Sequence, residues 1–235
     1  MRYFGGKTKI AKDIANYINT HTHTHYAEPF CGACNIAINV NCSVKLLNDK
    51  HKYLIAMFKK LQEGWIPPDS ITEEEYYTTK KNQDSVPWLA GFVGFACSFA
   101  GKWWGGYARD NKGGNYALRG HNSILKKMEH LKTSEFTCKD FLELDYDNTL
   151  IYADPPYKNT TQYCKSILGT FDYDKFLDWA RIQNSKNNNL VLISEYKHNL
   201  PEDGITILEM PSKTSIRDKD GSVIETTEIL FTFKK

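Results

Sequence analysis

The chain lacks any apolar run approaching the roughly 18 residues that a membrane span requires. Its opening stretch, Met1 to Asp13, is polar and charged and lacks the apolar centre of an export signal. Neither a membrane protein nor an exported one is expected. Internal repeats and low-complexity tracts are also missing, and no charge of one sign dominates. The 30 lysines and arginines against 28 aspartates and glutamates leave a net charge of +2, which neither demands nor excludes nucleic acid. Six cysteines are present, but not in a pattern that builds a disulfide framework or a zinc site. Cys31 and Cys34 form a C-x-x-C without a second ligand pair at matching spacing, since Cys42 and His51 do not make one. Small reduced side chains in a tight turn, in a cytoplasmic protein, account for them better. His21, His23 and His25 alternate with threonines and would share one side of an extended segment. No carboxylate or cysteine accompanies them, so a solvated loop entering a strand is expected, and no metal.

What remains is ordinary globular usage: 235 residues, 41% hydrophobic and 25% charged, enough for one α/β domain with a sizeable insertion. The apolar spacing of Ile10, Ala11, Ile14, Ala15 and Ile18 predicts a helix over 8–19. Strands are expected over 26–30 and 44–47, with helices from about Asn35 and over 51–63, the latter closed by Gly64 and Pro67-Pro68. That alternation argues for parallel strands with helical crossovers. From 66 to 131 the strand rhythm stops. Helices are expected over 72–82, 86–100 and 122–131, around a stretch of glycines and aromatics from 101 to 116. Strands return at 135–138, 149–153 and 190–194, with a helix over 172–184. The last two, 205–209 and 226–233, are too close for a helical crossover and predict an antiparallel hairpin at a sheet edge. The expected fold is α/β: a mostly parallel open sheet interrupted by a mainly helical insertion.

Three motifs lie where such a sheet binds ligands, beyond the carboxyl ends of its strands. Ala27-Glu28-Pro29-Phe30-Cys31-Gly32-Ala33-Cys34-Asn35 follows the first strand. Gly32 allows close backbone approach and Glu28 suits a cationic group, although the pattern is not a dinucleotide fingerprint. Asn48-Asp49 closes the next strand, where an acid suits the hydroxyls of a ribose, the competing role being to cap the following helix. Asp154-Pro155-Pro156-Tyr157 follows an apolar strand. Two prolines stiffen that turn, so a carboxylate, a free proline carbonyl and a ring are held at fixed separations. Two acceptors match the two hydrogens of an exocyclic amine, and the ring offers a face to a planar base.

These residues, together with Tyr3-Phe4-Gly5-Gly6-Lys7 near the start, resemble the Dam-like (D12 class) DNA adenine-N6 methyltransferases, which use S-adenosylmethionine. The order of motifs is similar too, and the compact form is similar to those carried by bacteriophages, which would place it in the host cytoplasm. The resemblance implies a Rossmann-like catalytic domain over residues 1–65 and 133–235, with a DNA target-recognition subdomain inserted over 66–132. It implies that Tyr3, Lys7, Glu28, Phe30, Gly32, Asp49, Asp140, Phe141 and Asp154 bind or border the cofactor. Asp154, Pro155, Pro156 and Tyr157 then form the catalytic turn, acting by positioning and electrostatics on a base flipped out of its duplex. One departure stands out: the family usually has a second glycine where this chain has Cys34.

Residues 101–132 carry seven cations, Lys102, Arg109, Lys112, Arg119, Lys126, Lys127 and Lys132, against Asp110 and Glu129. Trp103, Trp104, Tyr107 and Tyr116 are interleaved with them, which suits contact with DNA phosphates and bases. An aromatic mini-core beside a helix whose Lys126 and Lys127 face water is the plainer alternative. Lys102, Arg109, Asn111, Asn115 and Arg119 are the candidate contacts to a DNA duplex. Related amino methyltransferases that act on cytosine N4 or on guanine N2 of RNA, and a catalytically silent DNA-binding relic of the fold, are the alternatives. The target site, the oligomeric state, and whether methylation serves restriction-modification or another end stay open at this level.

Overall fold

The computed structural model describes residues 1–109, 113–158, 168–212 and 226–234. Seven strands form one sheet: β1 (His25–Glu28), β2 (Val44–Asn48), β3 (Glu135–Thr137), β4 (Thr149–Ala153), β5 (Leu190–Tyr196), β6 (Gly204–Ser212) and β7 (Thr226–Phe233). Their order is β3-β2-β1-β4-β5-β7-β6. The first five are mutually parallel, and β7 runs antiparallel to both β5 and β6. This is the expected Rossmann-like sheet with its antiparallel closing hairpin. The connections wind one way through β1, β2 and β3 and the other way through β4 and β5. The crevice between β1 and β4 is therefore the switch point at which such sheets take ligands.

Side-chain alternation divides the strands between two apolar layers, because successive residues point to opposite faces. Tyr26, Leu150, Tyr152, Leu192 and Leu230 face one core, while Ala27, Ile151, Ala153, Val191, Ile193, Ile229 and Phe231 face the other. The first layer is covered by α1 (Ala11–Ile18), α2 (Lys52–Gln62), α4 (Pro87–Ala96) and α5 (Tyr116–Met128), and α3 (Glu73–Lys81) packs beside α4. The second is covered by α6 (Tyr173–Ser185), through Phe176, Leu177, Trp179 and Ala180. The helices of the predicted insertion thus share one core with the sheet. Helices α2 and α4 touch so closely that a Cβ on Gly91 would lie 2.1 Å from the Tyr53 carbonyl oxygen.

Three expected helices differ from the reading of the sequence. The helix from Asn35 is only a 3-10 turn, Ala37–Asn39. Cys34 stands in the left-handed region with φ +55°, and side chains take the local carbonyls: Asn39 Nδ2 donates to Asn35 O and Asn19 Nδ2 to Asn39 O. Helix α4 stops at Ala96 rather than continuing to 100, where Ala100 is itself left-handed. Helix α5 starts six residues early, because Asn115 caps it and Gly120 is not a breaker but the place where α5 meets Ala96 and Phe92 of α4. Helix α3 follows the expectation, with a Thr72–Glu75 capping box at its start. Among the described residues, no helix is long and apolar enough to cross a membrane.

Candidate active site

All five residues of β4 are buried, and the chain leaves the sheet at Asp154. There it meets the N-terminal arm. Lys7 Nζ lies 3.1 Å from Asp154 Oδ1 and 3.6 Å from Glu228 Oε2 of β7. The same ammonium sits over the Tyr157 ring, 4.4 Å from its centroid, and Tyr157 makes an edge contact with Tyr196 at the end of β5. One cation therefore serves two carboxylates and an aromatic face. Burial alone would drive Lys7 towards neutrality, but Asp154 and Glu228 outweigh it and raise its pKa, so Lys7 is an ammonium. Burial raises the pKa of Asp154, with Lys7 acting in the opposite direction, and the same balance holds at Glu228.

On the neighbouring strand, β1 ends at Glu28, which is 2% exposed and accepts a 2.6 Å hydrogen bond from the Tyr26 hydroxyl. Burial pushes its pKa up to about 8, against that hydrogen bond. The loop beyond Glu28 turns tightly: Cys34 N–H donates to the Cys31 carbonyl at 2.7 Å, and both thiols are free and buried. Gly32 has φ +46°, and a Cβ there would lie 3.0 Å from the Tyr3 ring, so the loop and the N-terminal arm leave room only for glycine. Cys34, where the resemblance leads one to expect a second glycine, has a similar backbone. Cys34 adopts the left-handed backbone that glycine accepts freely, and its small side chain is wholly buried.

Asn48 and Asp49 tie the strand ends together. Asn48 Nδ2 donates to the carbonyls of Pro29 and Lys139, and Asn48 Oδ1 accepts from Lys139 N–H. Asp49 Oδ2 accepts from Gly32 N–H and its Oδ1 from His51 N–H, both at 2.9 Å. The cap of α2 is not Asp49 but His51, whose Nδ1 accepts from Leu54 N–H. After β3, Asp140 caps a 3-10 turn, Phe141–Glu143, and pairs with Lys50 at 2.7 Å. Burial opposes the charge of Asp140, but Lys50 and the Leu142 N–H hold its pKa below the usual carboxylate range. Phe30 and Phe141 meet at 5.7 Å between centroids, within a cluster that includes Phe171 and Phe176. Tyr3 with Gly32, Gly32 with Asp49, Phe30 with Phe141 and Lys7 with Asp154 are thus brought together from distant parts of the sequence.

The predicted DNA contacts are more dispersed. Lys102, Arg109 and Arg119 are exposed, with their cationic ends over Phe4, Tyr107 and Tyr116 respectively. Arg109 also pairs with Glu73. Asn115 spends its amide on the fold, accepting from Leu118 N–H and donating to the Asp69 carbonyl, each at 2.9 Å. Asn111, with Asp110 and Lys112, lies outside the described residues. The aromatic stretch is largely a mini-core: Trp103 stacks on Tyr53, Trp104 donates to Gln83, and Tyr107 donates to the Ile71 carbonyl. Lys126 is exposed, but Lys127 neither faces water, as the plainer alternative had it, nor is free for a phosphate: it is buried, its side chain turned inward onto the loop after β1.

Glu228 and Tyr196 were not anticipated. The only signal for Glu228 is a charge inside the otherwise uncharged strand Thr226–Phe233, and nothing local relates it to Asp154. Tyr196 carries no sequence signal beyond lying at a strand end.

Residues 3–87 match the family model of the D12 class N6 adenine-specific DNA methyltransferases. The Type II methyltransferase M.FokI of Planomicrobium okeanokoites is 24% identical, over 79% of this chain, which spans only 32% of that relative's length. Among solved structures, the ribosomal protein L11 methylase of Lactobacillus delbrueckii subsp. bulgaricus aligns with 99% of this chain and 81% of its own, at 11% identity and a TM-score of 0.41. SMU.472, solved with SAH, aligns over 97% of this chain and 53% of its own, at 10% identity and a TM-score of 0.39.

Proposed function

Taking the chain as a member of the D12 class of N6 adenine-specific DNA methyltransferases, the family that residues 3–87 match, we infer that it moves a methyl group from S-adenosylmethionine to the N6 amino group of adenine in DNA. The observation that carries this reading is the convergence of Asp154, Lys7 and Tyr157 beside Glu28, at the switch point between β1 and β4.

The residues fit such a cofactor. Gly32, without a Cβ, lets the Tyr3 ring of the N-terminal arm pack directly on the loop, and Glu28 is a buried carboxyl suited to a cationic amino group. Phe30 and Phe141 offer an apolar wall for an adenine ring. Asp49 and Asp140, each already anchored by backbone N–H groups, keep lone pairs for ribose and adenine. Tyr3 and Lys7 would close the site from the N-terminal arm. When bound, the cofactor supplies an electrophilic methyl group.

The remaining work falls to the chain itself. The N6 lone pair is delocalised into the adenine ring and is a poor nucleophile. Asp154 Oδ1 and the Pro155 carbonyl accept the two amino hydrogens, which favours a pyramidal nitrogen with a localised lone pair. Pro156 holds the turn stiff, and the proton shed by the nitrogen passes to Asp154. Lys7 has Glu228 as a second carboxylate when the amine takes its place at Asp154. Tyr157 stacks on the flipped base, and stacking worth about 1–3 kcal/mol offsets much of the few kcal/mol of unstacking. Lys102, Arg109 and Arg119 supply phosphate contacts to duplex DNA from segment 66–132, the proposed recognition subdomain. The chemistry belongs in the cytoplasm, where DNA and cofactor meet.

The test is to incubate the protein with unmethylated DNA and S-adenosylmethionine, digest to nucleosides and identify the methylated base by mass. N6-methyladenine is expected. N4-methylcytosine would overturn the substrate, and absence of both transfer and cofactor binding would overturn the reading as a whole.

A further inference from the structure

Two lysines stand behind the loop that follows β1, and both are buried. Lys45 comes from β2, and its Nζ donates to the Ala37 carbonyl at 2.7 Å. Lys127 comes from the last turn of α5, and its Nζ donates to the Ala33 carbonyl and, at 2.6 Å, to Asn35 Oδ1. Two ammonium groups from distant parts of the chain therefore hold carbonyls four residues apart in one loop.

Among the described residues neither lysine has a carboxylate within ion-pairing distance. The acid whose field reaches both is Glu28, itself pushed by burial to a pKa of about 8. The other titratable neighbours are the thiols of Cys31 and Cys34 near Lys127, those of Cys34 and Cys42 near Lys45, and the N-terminal amine near Lys127. Burial pushes Glu28 and the Cys31 thiol towards their neutral forms. A buried ammonium without a counterion is costly, and burial lowers the pKa of both lysines. The cost falls when an anion arrives. Both ammonium groups lie directly behind this loop, so their field favours an anion bound against it.

We propose that Lys45 and Lys127 are positioning residues of the cofactor loop, fixing its carbonyls from behind and making it selective for a ligand that carries a carboxylate. This rests on the reading of S-adenosylmethionine as cofactor, whose amino-acid end bears one. Because Lys127 belongs to the helix that also presents Arg119, the segment assigned to DNA would help to shape the cofactor site.

The experiment compares S-adenosylmethionine with its decarboxylated form, which lacks only the carboxylate, by equilibrium calorimetry. The unaltered protein is expected to bind the carboxylated form at least tenfold more tightly. Lys127→Met and Lys45→Met are each expected to cut that preference at least threefold, by weakening the carboxylated form more than the decarboxylated one. Lys127→Gln and Lys45→Gln keep a donor for the carbonyls without the charge, and they give the same answer if the methionine variants fail to fold by thermal melting. Equal weakening of both ligands would mean a purely structural role and overturn the proposal, as would an unchanged preference in folded variants. Failure of the unaltered protein to bind either ligand would instead sink the cofactor assignment.

Discussion

Asp154 stands where the chain leaves β4, paired with the Lys7 ammonium and followed by a turn that two prolines stiffen. Asp154→Ala removes the proposed acceptor for the amine and the partner of Lys7. Single-turnover transfer should fall at least a thousandfold, on the order expected for loss of a preorganised electrostatic contact together with proton transfer. DNA affinity measured in the same variant should stay within a few-fold, and retained turnover would falsify its role. Gly32 is governed by sterics instead. Gly32→Ala imposes a side chain at φ +46° and 3.0 Å from the Tyr3 ring, so the melt should show a loss of about 1–2 kcal/mol and cofactor affinity should drop with it. Glu28 makes a prediction in pH. Its folded pKa is raised from 4.5 to about 8, so between those values the folded protein holds a proton that the unfolded chain has released. Its contribution to stability is therefore full below pH 4.5, is lost as pH rises towards 8, and is constant beyond. Glu28→Gln should flatten the fall in melting temperature between pH 5.5 and 8.5; an unchanged pH slope would contradict the shift.

At the scale of elements, the contact between α2 and α4 links the sheet to the central helices. A Cβ at Gly91 would meet backbone, the Tyr53 carbonyl oxygen at 2.1 Å and its carbon at 2.8 Å, so no side-chain rotation relieves it. Gly91→Ala should separate the two helices and destabilise the fold by about 1–3 kcal/mol, the range for overpacking. Denaturant midpoints of the two proteins check it. Gly120, where a Cβ would lie 2.7 Å from that of Ala96, plays the corresponding part between α4 and α5. In sequence, Gly120 gives no sign of a helix–helix contact, and α5 was expected only from Asn122. Its early start became visible only once the partner helix supplied a reason for the missing side chain.

For the whole molecule, the decisive fact is that Phe92, Phe95, Ile124 and Met128 of α4 and α5 lie in the same apolar cluster as Tyr26, Leu150 and Leu192 of the sheet. Units that share a core cannot unfold independently without exposing it. Thermal unfolding should therefore be a single transition, coincident by far-ultraviolet circular dichroism and by tryptophan fluorescence, which reports on Trp103 and Trp104 in one part and Trp179 in the other. Two separated transitions would instead mark residues 66–132 as a domain with a stability of its own.

Local pattern was sufficient for much of this protein. Period-two and period-3.6 apolarity placed the strands and most helices, since burial of one face is dictated residue by residue. The turn Asp154-Pro155-Pro156-Tyr157 and the loop around Gly32 were legible because stiffness and positive φ need particular residue types wherever they occur. What no window of sequence contains is the meeting of side chains far apart along it. The tertiary structure alone placed Lys7 between Asp154 and Glu228, turned Lys127 inward onto Ala33 while Lys126 stayed in water, and committed Asn115 to a helix cap. Each outcome depends on which groups are desolvated together, and a charge's partners in a folded chain are set by the packing of whole elements rather than by its neighbours in sequence.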